Sequence, residues 1–212
     1  SSVEKKGPRC LRVLTPKKFE KQEDKKKSIA IQHSFQSVVG STLEDLAAKE
    51  EKLVLISPAM LSGGGFTAFQ NKFPNRTFDV GIAEQHAVTM AAGMAAAGSI
   101  PVVHLYSTFA QRGYDQIIHD TALQELHMIF CLDRAGLVGE DGPTHHGTFD
   151  VGFLNTIPEV KILAPRNGNE LKQMLAHAVL NSGTWFIRYP KGNTSYSADE
   201  VEGFSLKPKV LK

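Results

Sequence analysis

The chain has 212 residues, is 42% hydrophobic and 22% charged, and holds two cysteines far apart, Cys10 and Cys131. These proportions exclude collagen-like, low-complexity and wholly disordered chains, and the length suffices for a sizeable core without a disulfide framework or a CxxC zinc site. The net charge of +2 is uneven, with +6 in residues 1–27 and −4 in the remaining 185, so the basic excess is a tail.

That tail has no aromatics among its cations apart from Phe19, so it reads as a solvated linker rather than a nucleic-acid site. It holds no apolar stretch of the kind a signal peptide needs, and the start without Met suggests a chain that begins within a longer protein. The small apolar run at 87–97 is too short and too rich in Ala and Gly to span a bilayer, so no membrane partner is expected.

From residue 28 the pattern changes. Ile31, Phe35, Val38, Val39, Leu43 and Leu46 recur at three- and four-residue steps, which predicts an amphipathic helix over 28–50. A short apolar run predicts a buried strand at 53–57, followed by a glycine loop at 62–65 and a short helix at 66–73. A strand at 77–80 leads to a helix at 83–97 stopped by Gly98. Next come a strand at 102–106, a helix at 108–123 and a strand at 128–132. A long loop, 133–148, is rich in glycine; a strand at 160–164, a helix at 169–181 and a strand at 185–189 complete the domain. Continuous apolar strands alternating with helices predict an α/β fold: a doubly wound, mainly parallel sheet of about six strands with helices on both faces, covering 28–195. Residues 196–212 read as a linker onward.

In such sheets ligand chemistry lies at the carboxyl ends of the strands. Glu84 opens a helix there among Ile82, Ala83, Ala87 and Val88, and a carboxyl group in apolar surroundings holds and releases a proton near neutrality. The ordinary alternative is a helix N-terminal Glu serving the dipole. Tyr106 and Phe109 offer an aromatic wall for a flat ligand, with core packing as the alternative, and Arg112 lies one turn on. The 133–147 loop gathers Asp133, Arg134, Glu140, Asp141, His145 and His146 among its glycines, a poor way to build a core. Zinc on Asp141, His145 and His146 is disfavoured, because adjacent loop histidines rarely share one ion. Arg188 and Lys191 flank Pro190 and suit an anionic ligand, with plain surface charge as the alternative. No GxGxxG, Walker or GxSxG motif is present.

Four segments carry more than periodicity does. Residues 73–86 end in Ile-Ala-Glu-Gln-His, 106–116 begin Tyr-Ser-Thr-Phe, 133–145 begin Asp-Arg-Ala-Gly, and 188–192 read Arg-Tyr-Pro-Lys-Gly. In order and spacing the chain resembles the central, pyrimidine-binding domain of the 1-deoxy-D-xylulose 5-phosphate synthase family. The first run alone points only to the wider transketolase-like group; the second and third make the synthase specific.

The resemblance implies a thiamine diphosphate- and Mg2+-dependent homodimer that condenses pyruvate with glyceraldehyde 3-phosphate and releases carbon dioxide. Its product serves non-mevalonate isoprenoid synthesis and the synthesis of thiamine and pyridoxal. It implies a bacterial cytoplasmic source, or a plastid one. It assigns Glu84 to the cofactor's aminopyrimidine nitrogen, Phe109 to stacking on that ring, and Arg112 to the same pocket. Tyr106 and Arg134 would contact substrate phosphate, with Arg188 and Lys191 beside them, and Asp141 and His145 would handle substrate and proton transfers. Lys191 stands where the family has a second phosphate-binding arginine; it keeps the charge and loses the bidentate fork. The family's magnesium and diphosphate ligands, a Gly-Asp-Gly motif and an Asn, belong to an N-terminal domain this sequence does not contain, and a C-terminal domain is likewise absent. The expectation is therefore one domain of a longer enzyme, inactive alone. The alternatives are the same domain of another transketolase-like enzyme, or a non-catalytic dimerisation or regulatory subunit.

Overall fold

A computed structural model describes residues 33–196. The expected linker at 1–27, the start of the first expected helix and residues 197–212 lie outside the described residues.

His33–Ser34 forms strand β1, and Phe35–Ala47 forms helix α1. The helix is shorter than the periodicity over 28–50 suggests. Ser34 is extended and its hydroxyl accepts from Ser37 N at 3.0 Å, an N-cap that fixes the start. Strand β2, Leu53–Ser57, helix α2, Thr67–Lys72, strand β3, Thr77–Asp79, and helix α3, Glu84–Ala96, follow as expected. Strand β4 is Ile100–Tyr106.

The helix expected over 108–123 is instead a succession of windings: a 3-10 segment Ser107–Gly113, helix α4 at Tyr114–Gln116, and a π segment Ile117–Ala122. The buried positions Ser107, Ala110, Gly113, Ile117 and Thr121 step by three and then by four, so the tight winding follows the three-residue spacing of the inward face. Strand β5 is Met128–Asp133, helix α5 is Asp150–Leu154, and strand β6 is Lys161–Leu163. Helix α6, Gly168–Leu180, strand β7, Thr184–Arg188, and strand β8, Asn193–Thr194, complete the order. Strands β1 and β8, too short for any apolar pattern, pair antiparallel.

The main sheet has the order β3-β2-β4-β5-β7-β6, every pair parallel, which is the doubly wound fold expected from the sequence. The chain leaves β2 for β3 on one side and returns to β4 on the other, so the crevice between diverging connections opens at the β2/β4 carboxyl ends. One face packs Leu53, Leu55, Val102, Ile129, Cys131, Trp185 and Ile187 beneath α1 and α6. The other packs Val54, Ile56, Val103, Leu105, Phe130 and Phe186 beneath α3 and the 107–122 segment. The alternation matters for the site, because neighbouring residues at a strand end point to opposite layers.

Gly40 in α1 lies against the 62–65 loop, where an added Cβ would stand 2.1 Å from Gly65 O. Gly93 in α3 has open space at the same test. Gly40→Ala is expected to lose about 2 kcal/mol and Gly93→Ala to gain up to about 1 kcal/mol in a urea melt. Equal effects of the two changes would contradict this packing.

Candidate functional site

The carboxyl ends of β2, β3, β4 and β5 deliver the site. After β3, Asp79 Oδ1 accepts from Ala59 N and Gly81 N, both at 2.9 Å, and Gly81 takes φ 68. This turn releases α3 with Glu84 as its first residue. Glu84 is 4% exposed, yet its surroundings are not the purely apolar ones the sequence suggests. Arg112 Nη1 donates to Glu84 Oε1 at 2.7 Å. The carboxylate therefore reaches across to the 107–113 segment, and the N-cap of α3 has no side-chain bond.

The Arg112 guanidinium also lies 4.3 Å from the centre of the Phe109 ring. Phe109 stacks on Tyr106 at 5.9 Å and 13°, and the edge of His145 faces both rings, at 5.4 Å from Phe109 and 6.2 Å from Tyr106. Tyr106 and Phe109 thus form one stacked aromatic pair, with a carboxylate, a guanidinium and an imidazole around it. Burial pushes the Tyr106 hydroxyl up, against the pull of the nearby Arg134 cation.

The 133–148 loop is closed at its neck by Gly136 and Gly147, whose amides and carbonyls exchange two 2.8 Å bonds. Gly147 is required there, since an added Cβ would strike Ser107 Oγ at 2.2 Å. Within the loop two 3-10 turns, Gly139–Asp141 and Pro143–His145, place Asp141 and His145. His146 turns back to accept from Val138 N at 3.1 Å and so braces the loop itself. Asp141 and His145 lie near each other while His146 is turned into the loop, and no group of three or more metal-ligating side chains occurs among the described residues.

Arg134 stands at φ 58 with its guanidinium 4.1 Å from the centre of the Tyr106 ring. Lys191 Nζ donates to Asp141 Oδ1 at 2.5 Å, while Arg134 Nε lies 3.8 Å from Asp141 Oδ2. Arg134 and Lys191 thus converge on one carboxylate, the geometry of an anion cradle. They also line a cleft of about 580 Å³ together with Ser34, Gln36, Gly63 and Gly192. The Lys191 bond, with Arg134 close by, holds the Asp141 carboxyl below the usual carboxylate range despite an opposing cost of desolvation.

Arg188 does not join this group. Its side chain points to the α3 layer with Phe186, and it binds Asp150 through Nε at 2.9 Å and Nη2 at 3.2 Å. The expectation that Arg188 and Lys191 form one anion site is corrected: strand alternation separates them, and a buried carboxylate occupies the arginine. Sequence reasoning placed Asp133 in the loop and missed that it ends a buried polar run behind the site with Ser57 and His104. Its signal was a Ser, a His and an Asp in otherwise apolar strands.

No helix among the described residues is long and apolar enough to cross a membrane. The "Transketolase, pyrimidine binding domain" family matches residues 32–196. The chain is 48% identical over 207 residues to a 1-deoxy-D-xylulose-5-phosphate synthase of Methylobacillus flagellatus, covering 89% of this chain and 34% of that protein. It is 49% identical over 201 residues to the protein of the same name from Halothermothrix orenii, covering 95% of this chain and 31% of the relative. The chain thus spans about a third of these relatives' length. Among solved structures, a split-gene transketolase in an inactive beta4 tetramer superposes with TM-score 0.70 at 23% identity, over 80% of this chain and 56% of that chain. Transketolase from Pichia stipitis superposes with TM-score 0.70 at 17% identity, over 79% of this chain and 27% of that chain. Both show a shared fold.

The folded Asp141 carboxyl titrates below its unfolded value, so its stabilising effect is present above the unfolded value and is lost as pH falls through the folded one. Lys191→Met removes the bonding ammonium and should raise the Asp141 midpoint in an NMR side-chain titration. An unchanged midpoint would show that the ion pair does not form in solution.

Proposed function

The chain belongs to the transketolase pyrimidine-binding domain family, and from that premise we propose that it supplies half of the active site of a 1-deoxy-D-xylulose 5-phosphate synthase. In this reading the whole enzyme joins pyruvate to glyceraldehyde 3-phosphate with loss of carbon dioxide. The observation that carries the reading is the joining of two subsites at one sheet edge: Glu84 linked through Arg112 to the Phe109 ring, and the Arg134–Lys191 cradle one aromatic ring away.

The residues present fit thiamine diphosphate. A carboxylate 4% exposed, at a helix start and joined through Arg112 to a flat aromatic ring, suits an aminopyrimidine, which needs both a hydrogen-bond partner for its ring nitrogen and a stacking surface. When bound, that cofactor supplies a carbon nucleophile and an electron sink for decarboxylation. Glu84 would hold a proton at the pyrimidine nitrogen, Phe109 would fix the ring plane, and Arg112 would move off or share the carboxylate as the ring enters. The magnesium and diphosphate ligands would come from another domain of the same enzyme.

Arg134 and Lys191 would bind the phosphate of the acceptor aldehyde, which replaces the Asp141 carboxylate between them. Tyr106 would carry the aldehyde's backbone between cradle and cofactor. His145, its ring edge against both aromatics, would pass protons at the reacting oxygen, with Asp141 freed beside it. Exposed apolar side chains at this same edge, Ile82, Leu137 and Phe149, support a second domain or subunit closing over the site.

In the full-length enzyme carrying this chain, Glu84→Gln should cut turnover by about 10²-fold or more while substrate KM changes little, as for loss of a proton-transfer group. Turnover within a few-fold of the parent enzyme would refute the role given to Glu84.

A further inference from the structure

Behind the anion cradle, Ser57, His104 and Asp133 are each fully buried on the α1/α6 face. They lie near the ends of three adjacent strands, β2, β4 and β5. Ser57 Oγ and His104 Nδ1 are 3.3 Å apart, and His104 Nε2 and Asp133 Oδ2 are 3.4 Å apart. The tautomer that satisfies both contacts carries its proton on Nε2, so that the serine hydroxyl donates to the ring and the ring donates to the carboxylate. The imidazole is wedged by the edge of Phe66 at 4.9 Å, and Gly64 leaves it room, since a Cβ there would meet His104 Cε1 at 2.7 Å.

Asp133 is the hub. Its Oδ1 accepts from Gln36 Nε2 at 2.6 Å and from Arg134 N at 2.7 Å, and its Oδ2 accepts from Arg134 Nη1. The same Gln36 amide lies 3.4 Å from Pro190 O, the residue before Lys191. Stability alone does not account for this run. Apart from Tyr106, the rest of that sheet face is Leu, Val, Ile, Cys and Trp, and buried ionic groups replaced by well-packed apolar ones often leave a fold no less stable. What the run supplies is direction. Arg134 sits in the left-handed region, which a side-chain-bearing residue keeps only when its surroundings hold it there, and Asp133 holds both its amide and its guanidinium.

We infer that His104 and Gln36 are positioning residues for the phosphate end of the acceptor: through Asp133 they fix the Arg134 guanidinium, and through Pro190 Gln36 sets its spacing to Lys191. This rests on the reading of Arg134 as a phosphate ligand. His104, fully buried, does not touch substrate, and Gln36, although it lines the cleft beside Arg134 and Lys191, takes this role through its bonds to Asp133 and Pro190. They act on acceptor selectivity, the preference for a phosphorylated aldehyde over the same aldehyde without its phosphate.

The test compares glyceraldehyde 3-phosphate with glyceraldehyde as acceptors in the full-length enzyme. His104→Leu should raise KM for the phosphorylated acceptor about tenfold, with kcat and the KM for glyceraldehyde within twofold of the parent, and His104→Gln, which can still donate to Asp133, should restore most of the loss. Gln36→Ala, at a half-buried helix start, should show the same split to a smaller degree and keeps the test open if His104→Leu does not fold. Equal losses for both acceptors, or no rescue by Gln, would overturn the inference. Arg134→Ala separates the two claims. If it lacks the phosphate-selective loss, the reading of Arg134 fails; if it shows that loss while the His104 and Gln36 variants do not, only the positioning role fails.

Discussion

The parallel direction of six strands is the constraint on which the rest depends. Because β2, β3, β4, β5 and β7 run the same way, their carboxyl ends meet at one edge, and the segments that follow them bring distant residues together. Glu84 and Arg112, 28 positions apart, bond at 2.7 Å for this reason, as do Lys191 and Asp141, 50 positions apart. The chain reverses direction across the sheet at β2 and β4, which leaves a crevice there rather than a covered edge. The same alternation that packs two cores also sorts function. Tyr106 and Asp133 face the α1/α6 layer, while Arg188, paired with Asp150, faces the other.

Electrostatically the site is a set of matched pairs: Glu84 with Arg112, Asp133 with Arg134, Asp141 with Lys191. The first and last have partners 44% and 40% exposed, and ion pairs in such positions add at most about 1 kcal/mol to stability. Their contribution is therefore geometric. Each cation is held in place by a carboxylate that an incoming anion or ring nitrogen can replace or share, so the polar groups are oriented before the ligand arrives. The Asp133–Arg134 pair differs: its carboxylate is fully buried and surrounded by donors from Gln36, His104 and Arg134, which makes it scaffold rather than ligand site.

Much of this was legible in the sequence. Apolar runs marked the six sheet strands in chain order, because the central strands are buried on both faces and are mostly apolar. Glu84, Tyr106, Phe109, Arg112, Arg134, Asp141, His145 and Lys191 were all marked by type and position, and the structure brings them to one edge. Other features depend on contacts that periodicity does not encode. The start of α1 is set by the Ser34 cap and by pairing of β1 with β8, some 160 positions away. The 107–122 segment keeps one inward face while changing its hydrogen-bond step, and face periodicity cannot tell those windings apart. Arg188 looked like a neighbour of Lys191 in sequence, but alternation sends it to the opposite layer. His104 lay within an apolar run and was invisible as a site residue until Ser57 and Asp133 appeared on either side of it.

In the proposed role this domain serves decarboxylating condensation onto a phosphorylated aldehyde, not exchange of two-carbon units between sugar phosphates. The most direct measurement gives the full-length enzyme, with thiamine diphosphate and magnesium, isotopically labelled pyruvate, glyceraldehyde 3-phosphate and a ketose phosphate as a competing two-carbon donor, and follows the products by NMR. A synthase of this kind should release carbon dioxide matched by a 1-deoxy sugar phosphate carrying the pyruvate methyl group. Two-carbon exchange between sugar phosphates, with pyruvate left untouched, would contradict that role.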